Sequence, residues 1–118
     1  MSTGLPPVGD RDFDRVIASA SVPVLIEFWK PGCSHCRALA VELERVQADL
    51  GDRVLVLSLN VEENHQIPAE LEIRSVPALA LYQRGEFAGF IGGIGKKEEI
   101  LRHLGFAGEA GADRRSLS

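Results

Sequence analysis

The chain has 118 residues, of which 45% are hydrophobic and 25% charged, and its formal net charge is −4. This length and composition predict one domain with a single packed core and argue against disorder. The negative charge and the lack of a basic run make nucleic acid a poor candidate partner. No apolar run approaches the roughly 20 residues of a membrane-spanning helix, so no membrane association is expected.

The first half of the chain alternates between helical and strand patterns. Apolar residues recur at helical spacing near the N-terminus and again after residue 34. Between them lies a run that is apolar except for Glu27, which is typical of a strand covered on both faces. The predicted elements are a helix over 10–20, a strand over 24–29, a helix from Ser34 to Leu50 and a strand over 54–61.

The second half predicts a weaker helix, a β-hairpin and a closing helix. The hairpin turn is Gln83-Arg84-Gly85, between two apolar runs. The predicted elements are a helix over 62–73, strands over 77–82 and 86–91, and a helix over 96–104. We expect an N-terminal segment over 1–9 that could form a short strand, a domain over 10–106 and a flexible tail over 107–118.

The order of these elements predicts an α/β fold. The first strand–helix–strand unit implies parallel pairing, whereas the late hairpin implies an antiparallel edge. The sheet is therefore expected to be mixed and central, with helices on both of its faces.

The two cysteines of the chain are separated by two residues, in Gly32-Cys33-Ser34-His35-Cys36-Arg37. A Cys-x-x-Cys pair that follows a strand and begins a helix, within an alternating pattern, is typical of redox proteins. Unpaired N–H groups at a helix N-terminus favour an anion, so Cys33 is predicted to be the attacking thiolate. Cys36, one turn deeper, is predicted to be the resolving thiol. The alternative is a pair of inert structural cysteines.

The chain resembles the thioredoxin family over about residues 12–104. The landmarks that carry the resemblance, in order, are Phe28-Trp29, Cys33-Ser34-His35-Cys36, Val76-Pro77, Gly85 and Gly93. The resemblance implies a thioredoxin fold and exchange of protein disulfides without a bound cofactor. It also implies an NADPH-dependent reductase as the partner that returns the dithiol.

Several positions depart from the family pattern. The usual Cys-Gly-Pro-Cys is Cys-Ser-His-Cys here, and Gly32 replaces the usual tryptophan. Further along, Val41 replaces a helix proline. In the strand, Glu27 replaces a buried aspartate, and Ser58 is expected where a lysine often faces that acid.

His35 and Glu27 are further candidate catalytic residues. An imidazole close to the Cys33 thiolate would stabilise it, so we expect a disulfide more oxidising than that of a typical thioredoxin. Alternatively, His35 is a solvated surface residue with little effect. A buried Glu27 would have a raised pKa and could accept the Cys36 proton. Alternatively, Glu27 is partly solvated near the strand end.

The resemblance also implies a substrate surface around the dithiol. Val76-Pro77 would be a cis bond that leaves the Val76 backbone free to pair with an extended substrate segment. Trp29 and Gly32 would border the same surface, although Trp29 could instead be a core residue. Gly92 and Gly93 would allow close backbone approach to substrate, or would only form a turn.

Other features narrow the remaining possibilities. His65 and His103 are expected at the surface, and no metal site is expected within one chain, although one shared between two chains stays open. The N-terminus lacks a secretory signal pattern, so a cytoplasmic location is expected, and the protein is taken to be a monomer. The alternatives to a reductase are an oxidase or isomerase, and a redox-sensing binding module without turnover.

Overall fold

The computed structural model describes residues 4–92 and 97–105. Within these ranges, helices and strands alternate as the sequence patterns predict. The elements are α1 (Phe13–Ser19), β1 (Val24–Trp29), α2 (Ser34–Leu50), a short 3₁₀ turn (Gly51–Arg53), β2 (Leu55–Asn60), α3 (Gln66–Glu70), β3 (Ala78–Gln83), β4 (Glu86–Phe90) and α4 (Lys97–Leu104).

The strands form one mixed sheet in the order β2-β1-β3-β4. Strand β1 pairs with β2 in parallel and with β3 in antiparallel fashion, and β4 pairs antiparallel with β3. The predicted mixed sheet is therefore confirmed. Because β1 is central, the segment that leaves its carboxyl end is held by neighbours on both sides.

The N-terminal segment extends the sheet beyond β2 by a single bridge. Pro7 pairs in parallel with Ser58, and the Val8 N–H donates to the Ser58 carbonyl at 2.8 Å. The Ser58 N–H in turn donates to the Pro6 carbonyl at 2.9 Å. Pro6 and Pro7 have no N–H to give, which keeps this edge from growing into a longer strand.

Each face of the sheet is covered by helices, as predicted. On one face Leu25, Val56 and Leu79 belong to a core cluster that includes residues of α2 and α4. On the other face Ile26 and Phe28 belong to a cluster that includes residues of α1 and α3. Side chains alternate along β1, so Leu25 belongs to the first cluster and Val24, Ile26 and Phe28 belong to the second.

The predicted boundaries of two helices are wrong. Helix α1 begins at Phe13 instead of residue 10, because the preceding residues form a turn in which the Gly9 N–H donates to Asp12 Oδ1 at 2.9 Å. Asp10 is used elsewhere: its carboxylate accepts hydrogen bonds from the N–H groups of Gln66 and Ile67, both at 2.9 Å. This interaction caps α3 from a distant part of the chain.

Helix α3 covers only five residues of the predicted 62–73. A turn precedes it, since the Asn60 carbonyl accepts from the N–H groups of Glu63 and Asn64. Glu72, with φ 58°, ends the helical region. Strand β1 has the predicted bounds, β2, β3 and β4 differ from them by one residue at one or both ends, and α4 ends at Leu104 as predicted. The predicted helix start at Lys96 and the tail over 107–118 lie outside the described residues.

Candidate active site

The two cysteines form a disulfide at the start of α2, with their Cα atoms 5.2 Å apart. Cys33 is the N-cap of the helix, and its Sγ accepts a hydrogen bond from the Cys36 N–H at 3.1 Å. The same sulfur would face this donor as a thiolate, and both the hydrogen bond and the helix dipole favour its negative charge. The predicted placement of Cys33 at a helix N-terminus is confirmed.

The two sulfur-bearing residues differ in accessibility. Cys33 is half-buried, whereas Cys36 is only 1% exposed. A substrate sulfur can therefore approach Cys33 from solvent but has little access to Cys36. This difference in exposure agrees with Cys33 as the attacking thiol and Cys36 as the resolving thiol.

The segment that joins β1 to α2 leaves the approach to Cys33 open. Gly32 has φ +80°, a conformation that favours glycine, and a Cβ placed there would meet no atom within 4 Å. The position that usually carries tryptophan in the family is therefore open space in this chain. Trp29, at the end of β1, is half-buried, so the interpretation of Trp29 as a purely core residue is wrong.

Trp29 and Gly32 line a cleft of about 510 Å³ beside the dithiol. Pro31 also lines this cleft, together with residues of the N-terminal segment, the end of β2 and the loop after it. The remaining lining residues are Pro7, Val8, Asn60, Glu63 and Asn64. The predicted pair Trp29 and Gly32 is thus brought together on one surface.

Glu27 is buried in the centre of the sheet. It lies in register with Ser58 of β2 and Leu79 of β3, and it is 0% exposed, so the alternative of a partly solvated side chain is wrong. Neither carboxylate oxygen has a hydrogen-bond partner among the described residues. Burial removes the charged form from water and raises the pKa of Glu27 to about 8.

The Ser58 hydroxyl makes its hydrogen bonds to the N-terminal segment and not to the Glu27 carboxyl. Ser58 stands opposite Glu27, as expected. However, its hydroxyl donates to the Leu5 carbonyl at 3.3 Å and lies 3.5 Å from the Pro6 carbonyl. The Ser58 hydroxyl therefore binds the N-terminal segment, and among the described residues Glu27 has neither an ion pair nor a hydrogen-bond donor.

The Val76–Pro77 peptide bond is cis, as the resemblance implied. Phe28 pairs with Ala78, so the antiparallel register of β1 and β3 directs Val76 and Pro77 toward the segment that follows Trp29. Val76 also shares a cleft of about 160 Å³ with Lys30. The cis-proline loop therefore lies beside the segment that leads into the dithiol.

Gly92 lies near the same edge. The Ile91 N–H donates to the Leu79 carbonyl at 2.8 Å, which continues the β3–β4 pairing and brings Gly92 alongside the start of β3. Gly92 is exposed, with no atom within 4 Å of an added Cβ. Gly93 lies outside the described residues.

The histidines occupy different positions relative to the site. His35 is exposed in the first turn of α2, two residues after Cys33. His65 is exposed, as expected, with a ring nitrogen 3.2 Å from the Glu62 carbonyl. The side chain of His103 is not among those described. No three His, Cys, Asp or Glu side chains cluster as metal ligands in residues 4–92 and 97–105.

Sequence reasoning did not single out two charged residues near the cis-proline loop. Lys30 and Arg74 line the cleft that contains Val76. Their sequence positions could have suggested them, because Lys30 directly follows Trp29 and Arg74 precedes Val76 by two residues. Only the fold shows that they lie on the same cleft.

Comparison with known proteins agrees with this geometry. The family model for thioredoxin matches residues 5–105. The thioredoxin of Rickettsia bellii is 35% identical over 97 residues, which cover 82% of this chain and 92% of that protein. The thioredoxin of Haemophilus influenzae is 32% identical over 79 residues, covering 67% and 74% respectively.

A cyanobacterial relative shows similar coverage. Thioredoxin 1 of Synechococcus elongatus is 30% identical over 97 residues, which are 82% of this chain and 91% of that protein. Across the described residues, none of the helices is both long enough and apolar enough to span a membrane.

The fold, the dithiol at a helix N-terminus and the extent of the match show that this chain belongs to the thioredoxin family of thiol–disulfide oxidoreductases.

Proposed function

We propose that this protein reduces disulfides of other proteins through Cys33 and Cys36. The Cys33 thiolate attacks one sulfur of the substrate disulfide, forms a mixed disulfide and expels the other substrate sulfur as a thiolate that takes up a proton. The Cys36 thiolate then attacks Cys33 Sγ and releases the second substrate thiol. Two electrons pass to the substrate, and the protein keeps the Cys33–Cys36 disulfide.

One observation supports this proposal more strongly than any other. The sulfur at the N-cap of α2 is accessible and accepts an amide hydrogen bond, while its partner is buried one turn deeper. An accessible thiolate is the competent nucleophile, and a shielded neighbour can react only within the same molecule. That order of events is the one that disulfide reduction requires.

His35 is proposed to make the disulfide more oxidising than that of a typical thioredoxin. Its place in the first turn of α2, two residues after Cys33, supports this role, because a cationic imidazole near Cys33 would stabilise the thiolate and hence the dithiol form. The exposure of the side chain fits the alternative, a solvated histidine with little effect. A histidine at this place also favours an oxidase or isomerase as the second candidate function.

The effect of His35 is tested by equilibrium with glutathione for wild type, His35→Gln and His35→Pro. Proline is tolerated in the first turn of a helix, so both variants should fold. We expect a more negative reduction potential in each variant. Equal potentials in all three proteins would contradict the proposed role.

Glu27 is proposed to exchange a proton with Cys36. Its burial on the sheet face that α2 covers supports this role, as does a pKa of about 8, close to that of an ordinary thiol at about 8.5. The carboxyl keeps its own proton at neutral pH, so it can accept the Cys36 proton only after releasing that proton, which a pKa so close to that of a thiol allows near pH 8. Transfer could be direct or through a water molecule.

We also propose where the protein works, what reduces it and which surface holds the substrate. We propose that a monomer works in the cytoplasm and that an NADPH-dependent reductase returns the disulfide to the dithiol. The substrate segment would lie against Val76, Pro77, Gly92 and Gly93, with Trp29 and Gly32 on the adjoining surface.

The proposal is tested by reduction of insulin disulfides by dithiothreitol, with and without the protein. Wild type should accelerate the reaction, and Cys33→Ser should not. Cys36→Ser should accumulate the mixed disulfide, because no internal thiol can resolve it. No acceleration by wild type would instead support a binding module without turnover.

A further inference from the structure

A small cleft that Val76, the residue before the cis proline, helps to line carries two positive charges. Lys30, after β1, and Arg74, before the cis-proline loop, line the same space of about 160 Å³. Both residues are exposed, and neither forms an ion pair with another side chain of the described part of the chain. The two cations are thus available to a ligand.

The charge of this cleft is opposite to that of the chain as a whole. Its other lining residues are uncharged, namely Val61, Pro68, Ile73, Ser75 and Val76, although the formal net charge of the chain is −4. The larger cleft beside Trp29 has Glu63 as its charged lining residue. A local positive site on an acidic protein attracts an acidic ligand group and repels a basic one.

The backbone of Val76 gives a ligand a defined direction. No hydrogen bond joins the Val76 main chain to any other residue of the described ranges. A free N–H and C=O beside a strand can pair with an extended segment, as in strand addition. Side chains of that segment would then pass between Lys30 and Arg74.

We propose that Lys30 and Arg74 determine specificity, so that this protein prefers disulfides flanked by acidic residues. The inference rests on the proposed function, because it needs the substrate segment to lie along Val76 during attack by Cys33. The guanidinium of Arg74 can hold a carboxylate in bidentate fashion, and the Lys30 ammonium adds a mobile point charge. The occupant of the cleft is therefore an extended, acidic segment of the substrate protein.

The test uses pre-reduced protein, freed of reductant, and three peptides that each contain one disulfide. The peptides differ only in two residues next to one cysteine, which are both Glu, both Gln or both Lys. The second-order rate constant of peptide reduction is measured under single-turnover conditions. We expect the Glu peptide to react about tenfold faster than the Lys peptide at low salt, and this ratio should fall when the salt concentration shortens the Debye length to a few Å.

Two double variants test whether the peptide preference comes from the cleft or from the net charge of the protein. Lys30→Gln with Arg74→Gln should bring the ratio of rate constants close to one, and Lys30→Glu with Arg74→Glu should invert it. Arg84→Gln with Arg102→Gln is the matched control, since it removes two exposed cations that do not line the cleft. The control should keep the wild-type preference.

The possible results separate this inference from the proposed function. Equal rates for all three peptides with active wild type would overturn the charge preference but leave disulfide exchange intact. A preference that survives in the Lys30 and Arg74 variants, or that disappears in the control, would also overturn it. Failure of wild type to reduce any peptide would overturn the proposed function and this inference with it.

Discussion

Replacement of Glu27 by glutamine should remove a large pH dependence of stability. In the folded protein the carboxyl has no partner among the described residues, and burial raises its pKa from 4.5 to about 8. Between these two values the folded form holds a proton that the unfolded chain has released. The free energy of unfolding must therefore decrease as the pH rises, by about 1.4 kcal/mol per pH unit.

The magnitude follows from the width of that window. Over the whole interval the wild-type protein should lose about 5 kcal/mol of stability, of which about 3 kcal/mol is already lost at pH 7. This is a substantial share of the roughly 5–15 kcal/mol that stabilises a typical domain. Glutamine has nearly the same shape as protonated glutamate and stays neutral, so Glu27→Gln should lack this slope.

The assay is urea unfolding of the oxidised protein followed by far-UV circular dichroism between about pH 5 and about pH 9. The intact disulfide keeps both thiols from titrating. The difference in unfolding free energy between Glu27→Gln and wild type should grow in favour of the variant as the pH rises. Glu86→Gln, at an exposed position of β4, should follow the wild-type curve. Parallel curves for wild type and Glu27→Gln would refute the reasoning.

Two further predictions concern the local structure around the site. Asp10→Ala removes the acceptor of two N–H groups at the start of α3, so urea unfolding should show a loss of about 1–2 kcal/mol, against less than about 0.5 kcal/mol for Glu86→Ala. An unchanged stability of Asp10→Ala would mean that water replaces the cap at no cost. Gly32→Ala should cost about 1–2 kcal/mol because its φ is +80°, whereas Gly92→Ala, equally open but without such a φ, should be close to neutral. Equal midpoints of thermal unfolding for these two variants would contradict the assignment of strain to Gly32.

Local patterns predicted much of the fold because they depend on residues near one another in the chain. Helix α2 begins at Ser34 and ends at Leu50 as expected, since its apolar stripe is long and Gly51 follows it. The predicted boundaries of α1 and α3 were wrong where short turns interrupt the helical pattern. Helix α3 is short because the Asn60 turn and Glu72 limit it, and Asp10 supplies its cap from far away in the chain.

In the candidate site, too, local patterns predicted some features and missed others. The position of Cys33 at a helix N-terminus could be predicted, because a strand, a glycine and a helical stripe follow one another directly. Lys30 and Arg74 were missed, because nothing local shows that they line one cleft. Their proximity results from the antiparallel register of β1 and β3.

The sequence by itself determined the order of the elements, the mixed sheet and the dithiol, because hydrophobic periodicity and the Cys-x-x-Cys spacing are properties of short segments. Only the tertiary structure decided that Glu27 is buried with no hydrogen-bond partner among the described residues, that Ser58 bonds to the N-terminal segment and that Lys30 lies on one cleft with Val76. These features depend on strand register and on side chains far apart in the chain. No local pattern encodes such contacts, because they form only when the sheet is assembled.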